Sequence, residues 1–463
     1  MTNNINLVTT KIPNKKPNLT FKSKESVLVD GMDKSLKPLN GFIKSQENLS
    51  HTRFIQDVAT NWVPKVVFTR SLADFTEMTF LEYTESALFY FAPAILGGLL
   101  HRGFSKLAPK NIQQDIYKNI PKSAEEIIKN SELAKNGIAK RVLPVKAAII
   151  LGCICIPAAE YALSFAKNLL TLKVFKKSDF NNIANLNKEQ KENTEQQDKV
   201  RKSAHRHIKN VAKLSLGAIG ASALLASFGH KSNALQSVSK LILQPGAKIA
   251  ELLEKVGVKS KKTSNFLKTY INLDFDSKDG KLGLSKGQLV VSTLSGFFGY
   301  SEAGKDRGKL DQMEVLTRVP FVVFYTVFGS AIFDNAFKHI LHKNNKFPDL
   351  IKKTEDNLIK IPTRAELPDL ALKIAKGDKA EAQKVFNRLI KEKSIITAIP
   401  YGFSLVFMGF LLAGITRFWT QYRYNHGKKD RNTEIAREKP KSEILQNINL
   451  NFMPKTNTFQ GFG

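Results

Sequence analysis

The chain has 463 residues, room for about two or three ordinary domains. Lysine plus arginine number 71 against 41 aspartates and glutamates, a formal net charge of +30, which calls for an anionic partner such as nucleic acid or anionic lipid. With two cysteines, a disulfide framework is excluded.

Residues 1–50 carry scattered Lys, Asn and Pro with no apolar core of a signal peptide, and read as a disordered basic N-terminal tail. Thr2 excludes myristoylation, which needs glycine there. Residues 51–101 read as an amphipathic lead-in and a first apolar helix over Thr79–Leu100. Asp74, Glu77, Glu82 and Glu85 precede and enter this stretch; at 100° per residue they share about 140° of one helix face. A polar helical connection follows at 102–146, where Ser123-Ala-Glu-Glu126 has the form of a capping box.

Residues 147–230 hold two apolar helices joined by a polar connection, 171–210. The first, Ala147–Leu170, contains Glu160 and Lys167; its Cys153 and Cys155 sit among aliphatics and read as small buried hydrophobes. The second, Val211–Phe228, includes the small-residue run Gly217–Ala223, suited to close helix packing. Residues 231–287 form a basic amphipathic connection, with helical spacing in Ala247–Val256. In 288–341, Leu289–Tyr300 is too short to span a bilayer, and the longer Val319–Leu341 contains Asp334 and Lys338.

A polar helical hairpin is expected at 342–394, broken at Gly377 and restarted by a cap at Asp378. Ile395–Phe418, in the segment 395–419, is the best transmembrane candidate: Ile395–Thr416 has no charge, and Arg417, Trp419, Tyr422 and Arg423 follow as an interface mixture. Within it, Gly409 and Ala413 have small-xxx-small spacing. The tail 420–463 is basic and reads as disordered. No convincing alternating strand appears. The fold class expected is therefore all-α: a multi-helix integral membrane protein, in a cell membrane, with long basic helical connections and disordered termini.

Every long connection is basic; 342–394, for instance, has thirteen cations and eight acids, so the positive-inside rule assigns no orientation. Only 301–318 is balanced, at four and four. The intramembrane charged candidates are Glu82, Glu85, Glu160 and Asp334, with Asp74 and Glu77 completing the acidic stripe. An ionisable group at membrane depth is costly and points to function by default. Two readings compete: a cation or proton path lined by carboxylates, or structural pairing with cations such as Arg70, Arg102, Lys146, Arg318 and Lys338. The abundance of cations favours pairing.

Other chemistry is thin. Asp274–Ser285 and Lys305–Glu314 both contain Gly-Lys-Leu, and the first has the look of an EF-hand loop. Placing Gly280 or Gly308 at the loop glycine supplies two and one of the four required oxygen positions, which argues against calcium. His205-Arg-His207 and the pair His339 and His342 lack a carboxylate or thiol to complete a metal set. Ser237-Val-Ser-Lys240 lacks the companion elements of a Ser-Lys catalyst. There is no Walker A, Gly-x-Gly-x-x-Gly or Gly-x-Ser-x-Gly motif. The cations are dispersed rather than gathered into a nucleic-acid module, and so fit anionic headgroups better.

The expected function is non-enzymatic: a multi-pass protein in scaffolding or membrane organisation at an anionic lipid surface. It needs no cofactor or metal, and its partners are the bilayer and other proteins or copies of itself. Two alternatives stand beside it: a transporter or channel using the intramembrane carboxylates, and a basic soluble or peripheral helical protein.

Overall fold

Local sequence signals place many of the helix ends. Ser123 and Ser285 each open a helix with a capping box, through Glu126 and Gln288 respectively. Asp378 accepts from the backbone N–H groups of Ala380 and Glu381, at 2.8 and 3.2 Å, just after Gly377 has turned the chain at φ +90°. A computed structural model describes residues 28–47, 51–187, 191–258, 260–278, 281–283, 285–353 and 359–427. Helix dominates them. The strands among them form two antiparallel ribbons, Asp276–Lys278 with Lys281–Gly283 and Lys352–Lys353 with Ile359–Lys360.

Packing divides the chain into two units, Met1–Asn48 with Asp334–Pro400, and Leu49–Phe333 with Tyr401–Gly463. The first is built around an aliphatic core in which Ile43, Leu350, Leu367, Leu389 and Ile390 are completely buried. Residues Leu28–Glu47 are thus not part of a disordered tail: Lys37–Glu47 is a helix whose Ile43 enters that core. The C-terminal tail expected from 420 starts later: 420–427 continue the helical run that reaches Gly427, with Thr420 and Tyr424 buried. The remainder of the expected N-terminal tail, and 428–463, lie outside the described residues. The expected hairpin of 342–394 belongs to this unit, as Leu367–Ile374 followed by the helix opening at Lys379.

The second unit contains eleven helices of eight residues or more among the described residues of 51–324: α1 His51–Val67, α2 Leu72–Tyr90, α3 Ala92–Ser105, α4 Ala139–Gly152, α5 Cys155–Phe175, α6 Thr194–Phe228, α7 Asn233–Leu243, α8 Pro245–Lys255, α9 Lys261–Tyr270, α10 Lys286–Arg307 and α11 Lys309–Phe324. Its most enclosed helix is α4, where every residue from Val142 to Ile150 is buried. Ile116, Ile120 and Ile127 from the short helices before α4 close over it. Asp274 anchors this region: its carboxylate meets Lys146 Nζ at 2.6 Å and accepts from the backbone N–H of Ala124 at 2.6 Å.

Helices α5 and α10 pack through small and polar groups. A Cβ at Gly299 would collide with the backbone of Tyr161. Ser295 Oγ donates to Pro157 O at 2.6 Å, and Asn168 Nδ2 to Ala303 O at 3.0 Å. Such close backbone approach is the usual way helices associate in lipid, where apolar bulk gives no preference for a neighbouring helix.

Four helical runs are long and apolar enough to cross a membrane: Leu72–Ser105, Ala139–Phe175, Thr194–Lys231 and Lys379–Gly427. Their apolar windows are 17, 67, 22 and 22% buried, so three of the four leave most of that surface open. They cover four of the six apolar stretches seen in the sequence. Helix α10, which carries Leu289–Tyr300, is not among them.

Candidate functional site

The acidic stripe lies on α2, whose first turn is set by Ser71: its hydroxyl accepts from Asp74 N–H at 3.1 Å and donates to Ile183 O. This cap turns Asp74 and Glu77 inward, at 6% exposure each. Around them two ion clusters form.

In the first, arginines and carboxylates alternate. Arg70 donates to Asp74 Oδ2 from both its backbone N–H and Nε, at 3.1 Å each, and to Glu314 from Nη1 at 3.1 Å. Arg417 closes the ring, with Nη2 at 3.3 Å from Asp74 Oδ1 and Nη1 bonded to Glu314 Oε1. Thr420 Oγ1 adds a 2.8 Å bond to Glu314 Oε2. The sequence placed Arg417 at an interface beside Trp419, Tyr422 and Arg423. The structure splits that group: Trp419 and Tyr422 are exposed, Arg423 lies 5.2 Å over the Trp419 ring, and Arg417 turns inward.

In the second, Arg307 is the centre, with 1% exposure. Its Nη1 donates to Glu77 Oε2 at 3.0 Å and to Asn168 Oδ1 at 2.8 Å, and its Nε stands 3.2 Å from Asp311 Oδ2. Lys167 lies 3.6 Å from the same Glu77 oxygen, and Thr171 donates to the other. Burial works against the Arg307 charge, but the carboxylates of Glu77 and Asp311 outweigh it and hold the guanidinium above its ordinary value. Sequence reasoning missed Arg307, Asp311, Glu314 and Arg417. The charge balance of 301–318 was the available signal for the first three.

The remaining sequence candidates divide. Glu82 pairs with Lys65. Glu85 accepts from the Tyr300 hydroxyl, and burial together with the Glu85 charge pushes the Tyr300 pKa well above its usual value, so the phenol keeps its proton. Asp334 pairs at 2.5 Å with Lys338, one turn on along its own helix, and its side chain is 37% exposed. It takes no part in the buried clusters. Glu160 is 3% exposed, and its Oε1 has no hydrogen-bond partner. Of the cations suggested as partners, Arg70 and Lys338 do pair with stripe or candidate acids, and Lys146 pairs with Asp274 instead.

A cavity of about 60 Å³ opens beside the clusters, lined among others by Asp74, Glu77, Glu82, Lys167, Tyr300 and Arg318. Its lining mixes these groups with Met78, Leu81, Phe180 and Val315, and its volume is enough for a few waters beside the charged side chains. The acids on its lining, Asp74, Glu77, Glu82, Asp311 and Glu314, are each paired with a cation. Among the described residues no group of three or more His, Cys, Asp or Glu could hold a metal.

The two EF-hand-like segments are used otherwise. Asp274 anchors α4 as above, and Asp311 and Glu314 serve the clusters. His207 takes a 2.8 Å bond with Tyr161 and stacks on Phe165 at 4.2 Å. Within the small-residue run of α6, Ala218 and Ser222 face inward, while Gly217 and Gly220 have open space beside them.

Fold and site together define an all-helical protein with four helices long and apolar enough to cross a membrane and an interior charge network in its larger unit. Compared with known proteins, the chain matches no family model, no curated protein and no solved structure.

Proposed function

We propose that this is a non-enzymatic, multi-pass integral membrane protein that acts by scaffolding or membrane organisation at an anionic lipid surface. The observation that carries the reading is the open apolar surface of its candidate spans. On α6, Leu214, Leu216 and Leu224 are 57, 71 and 62% exposed; on Lys379–Gly427, Val406, Ile415 and Phe418 are 60, 53 and 70% exposed. Leu214 and Leu216 fall on different sides of α6, as do Val406 and Ile415 on the last run, so apolar side chains are open on more than one face, and a helix apolar all round suits a large core or lipid. The basic connections supply attraction to anionic headgroups, at about 1 kcal/mol per cation near the surface.

Alkaline extraction tests this directly: the protein stays in the membrane pellet and needs detergent for release. Recovery in the soluble fraction without detergent would establish the peripheral or soluble helical reading instead. Labelling of single cysteines placed in each connection, in a chain with Cys153 and Cys155 replaced, then maps the spans.

A transporter or channel is the second reading, and Glu160 is the observation that favours it: a carboxyl inside an apolar helix, with one oxygen unpartnered and no salt bridge among the described residues. Ion or proton flux across vesicles containing the purified protein, abolished by Glu160→Gln, is its signature. No flux, or flux indifferent to that substitution, removes it.

A further inference from the structure

Helix α8 reverses the usual pattern of an amphipathic helix on a globular protein. Its inward residues are its smallest: Gly246 and Ala250 are buried, and a Cβ at Gly246 would collide with the Leu267 carbonyl of α9. Its large aliphatics point away, with Ile249, Leu252 and Val256 exposed by 40, 53 and 82%. At 100° per residue these three and Leu253 form a stripe about 100° wide, and Lys248 and Lys255 fall along one edge of it.

Past the end of the helix the chain turns at Gly257, φ +96°, and Val258 N–H reaches back to Leu253 O at 2.9 Å. Only a left-handed residue allows this reversal, and it leaves Val258 exposed beside the stripe. The neighbouring helices also leave apolar side chains open. In α7, Ser239 and Leu243 are fully buried while Val238 and Leu241 are 44 and 51% exposed. In α9, Phe266 is 48% exposed, and Lys261, Lys262 and Lys268 are open to solvent.

Charge selects the occupant of this surface. Residues 231–270 contain eight lysines and two glutamates, Glu251 and Glu254. Lys248 and Lys255 close on Glu251 at 2.6 and 3.0 Å, but their side chains are 52 and 66% exposed. Ion pairs that open contribute little and yield readily to a competing anion. At eleven residues, α8 is too short to cross a bilayer. Exposed aliphatics bordered by long-stemmed lysines are what a helix lying in the headgroup layer requires: the stripe enters the acyl boundary and the ammonium groups reach phosphate.

We propose that α7–α9 form an interfacial platform that lies on an anionic bilayer, with Leu252 and Val256 immersed and Lys248, Lys255, Lys261 and Lys262 on lipid phosphates. This rests on the membrane reading above and assigns its lipid contact to a particular surface.

The test uses the full chain, with Cys153 and Cys155 replaced, in nanodiscs of phosphatidylcholine alone or mixed with phosphatidylglycerol. A fluorophore is placed at Leu252→Cys, or at Glu254→Cys on the opposite face, and quenched by nitroxide-labelled lipid or by aqueous iodide. The expected result is lipid quenching at position 252 in the anionic discs, weak quenching at 254, and loss of the effect in the quadruple variant Lys248→Glu, Lys255→Glu, Lys261→Glu, Lys262→Glu. Position 252 remaining iodide-accessible in a protein that is stably inserted overturns the platform and leaves the membrane reading intact. Protection that rises with protein concentration, independent of lipid charge, assigns the surface to a second copy and also overturns it. A chain that does not insert at all defeats both readings.

Discussion

In the smaller unit, Leu350, Leu367, Leu389 and Ile390 are completely buried, and the paired charges Arg388 and Asp349 sit at the surface, 50 and 36% exposed. In the larger unit, Arg307 is 1% exposed, with Glu77 and Asp311 beside it, while Leu216 is 71% and Phe418 70% exposed. The smaller unit follows the rule of a water-soluble core, apart from the buried Lys393, which pairs with Glu47. The larger one is mixed: Ile116, Ile120, Ile127 and Ile149 are buried in an aliphatic core around α4, while its interior also holds the ion clusters and its long helices leave aliphatics open. The difference teaches where the proposed membrane reading has to be tested: the hydrophobic effect drives aliphatics inward where water is the alternative, and in lipid, backbone proximity and buried polar bonds would hold helices together instead.

Substitutions can break this contrast. The largest effect is expected at Arg307→Ala, which leaves Glu77 and Asp311 buried without their guanidinium. A loss of about 3–5 kcal/mol follows from stranding such charges, read as a large fall in the thermal midpoint in detergent. Unchanged stability would mean the network is not what holds the larger unit. In the smaller unit Leu389→Ala removes a completely buried aliphatic and should cost about 2–5 kcal/mol, seen as faster amide exchange across 334–400.

Leu216→Arg sharpens the contrast from the other side. The residue is exposed, so a soluble fold would tolerate the change. In a membrane the charge opposes insertion of α6 by about 2.5–3.5 kcal/mol if near the bilayer centre, measurable as a loss of alkali-resistant protein. A smaller effect belongs to Ser285→Ala, which removes the hydroxyl that caps α10 through Gln288 N–H at 3.2 Å; about 1 kcal/mol is expected. Least is expected of Glu125→Ala, whose pair with Lys129 is two-thirds exposed or more on both sides; the change should stay within about 0.5 kcal/mol.

Much of the helical organisation was legible in the sequence, because it follows from local chemistry. The capping boxes at Ser123 and Ser285 and the break at Gly377 act through bonds within four residues; the sequence reading named Ser123 and Gly377 and passed over Ser285. The charge network was half legible. The acids of α2 share a face by helical periodicity alone, so Asp74 and Glu77 were visible. Their partners were not: Glu314 lies 244 residues from Arg70, and Arg417 lies 343 from Asp74. Nothing local marks one arginine among many as the inward one.

The sequence by itself determined the all-helical class, the apolar stretches and the excess of cations, since periodicity, length and composition act residue by residue. Tertiary structure alone decided that Leu28–Glu47 packs with 334–400 rather than trailing as a tail. It decided that Arg417 and Arg307 turn inward, and that α8 buries glycine and alanine while presenting leucine outward. These choices depend on which surfaces meet. A helix carries its apolar stripe and its charges at fixed angles, but only a neighbour's approach determines which of those angles becomes the inside.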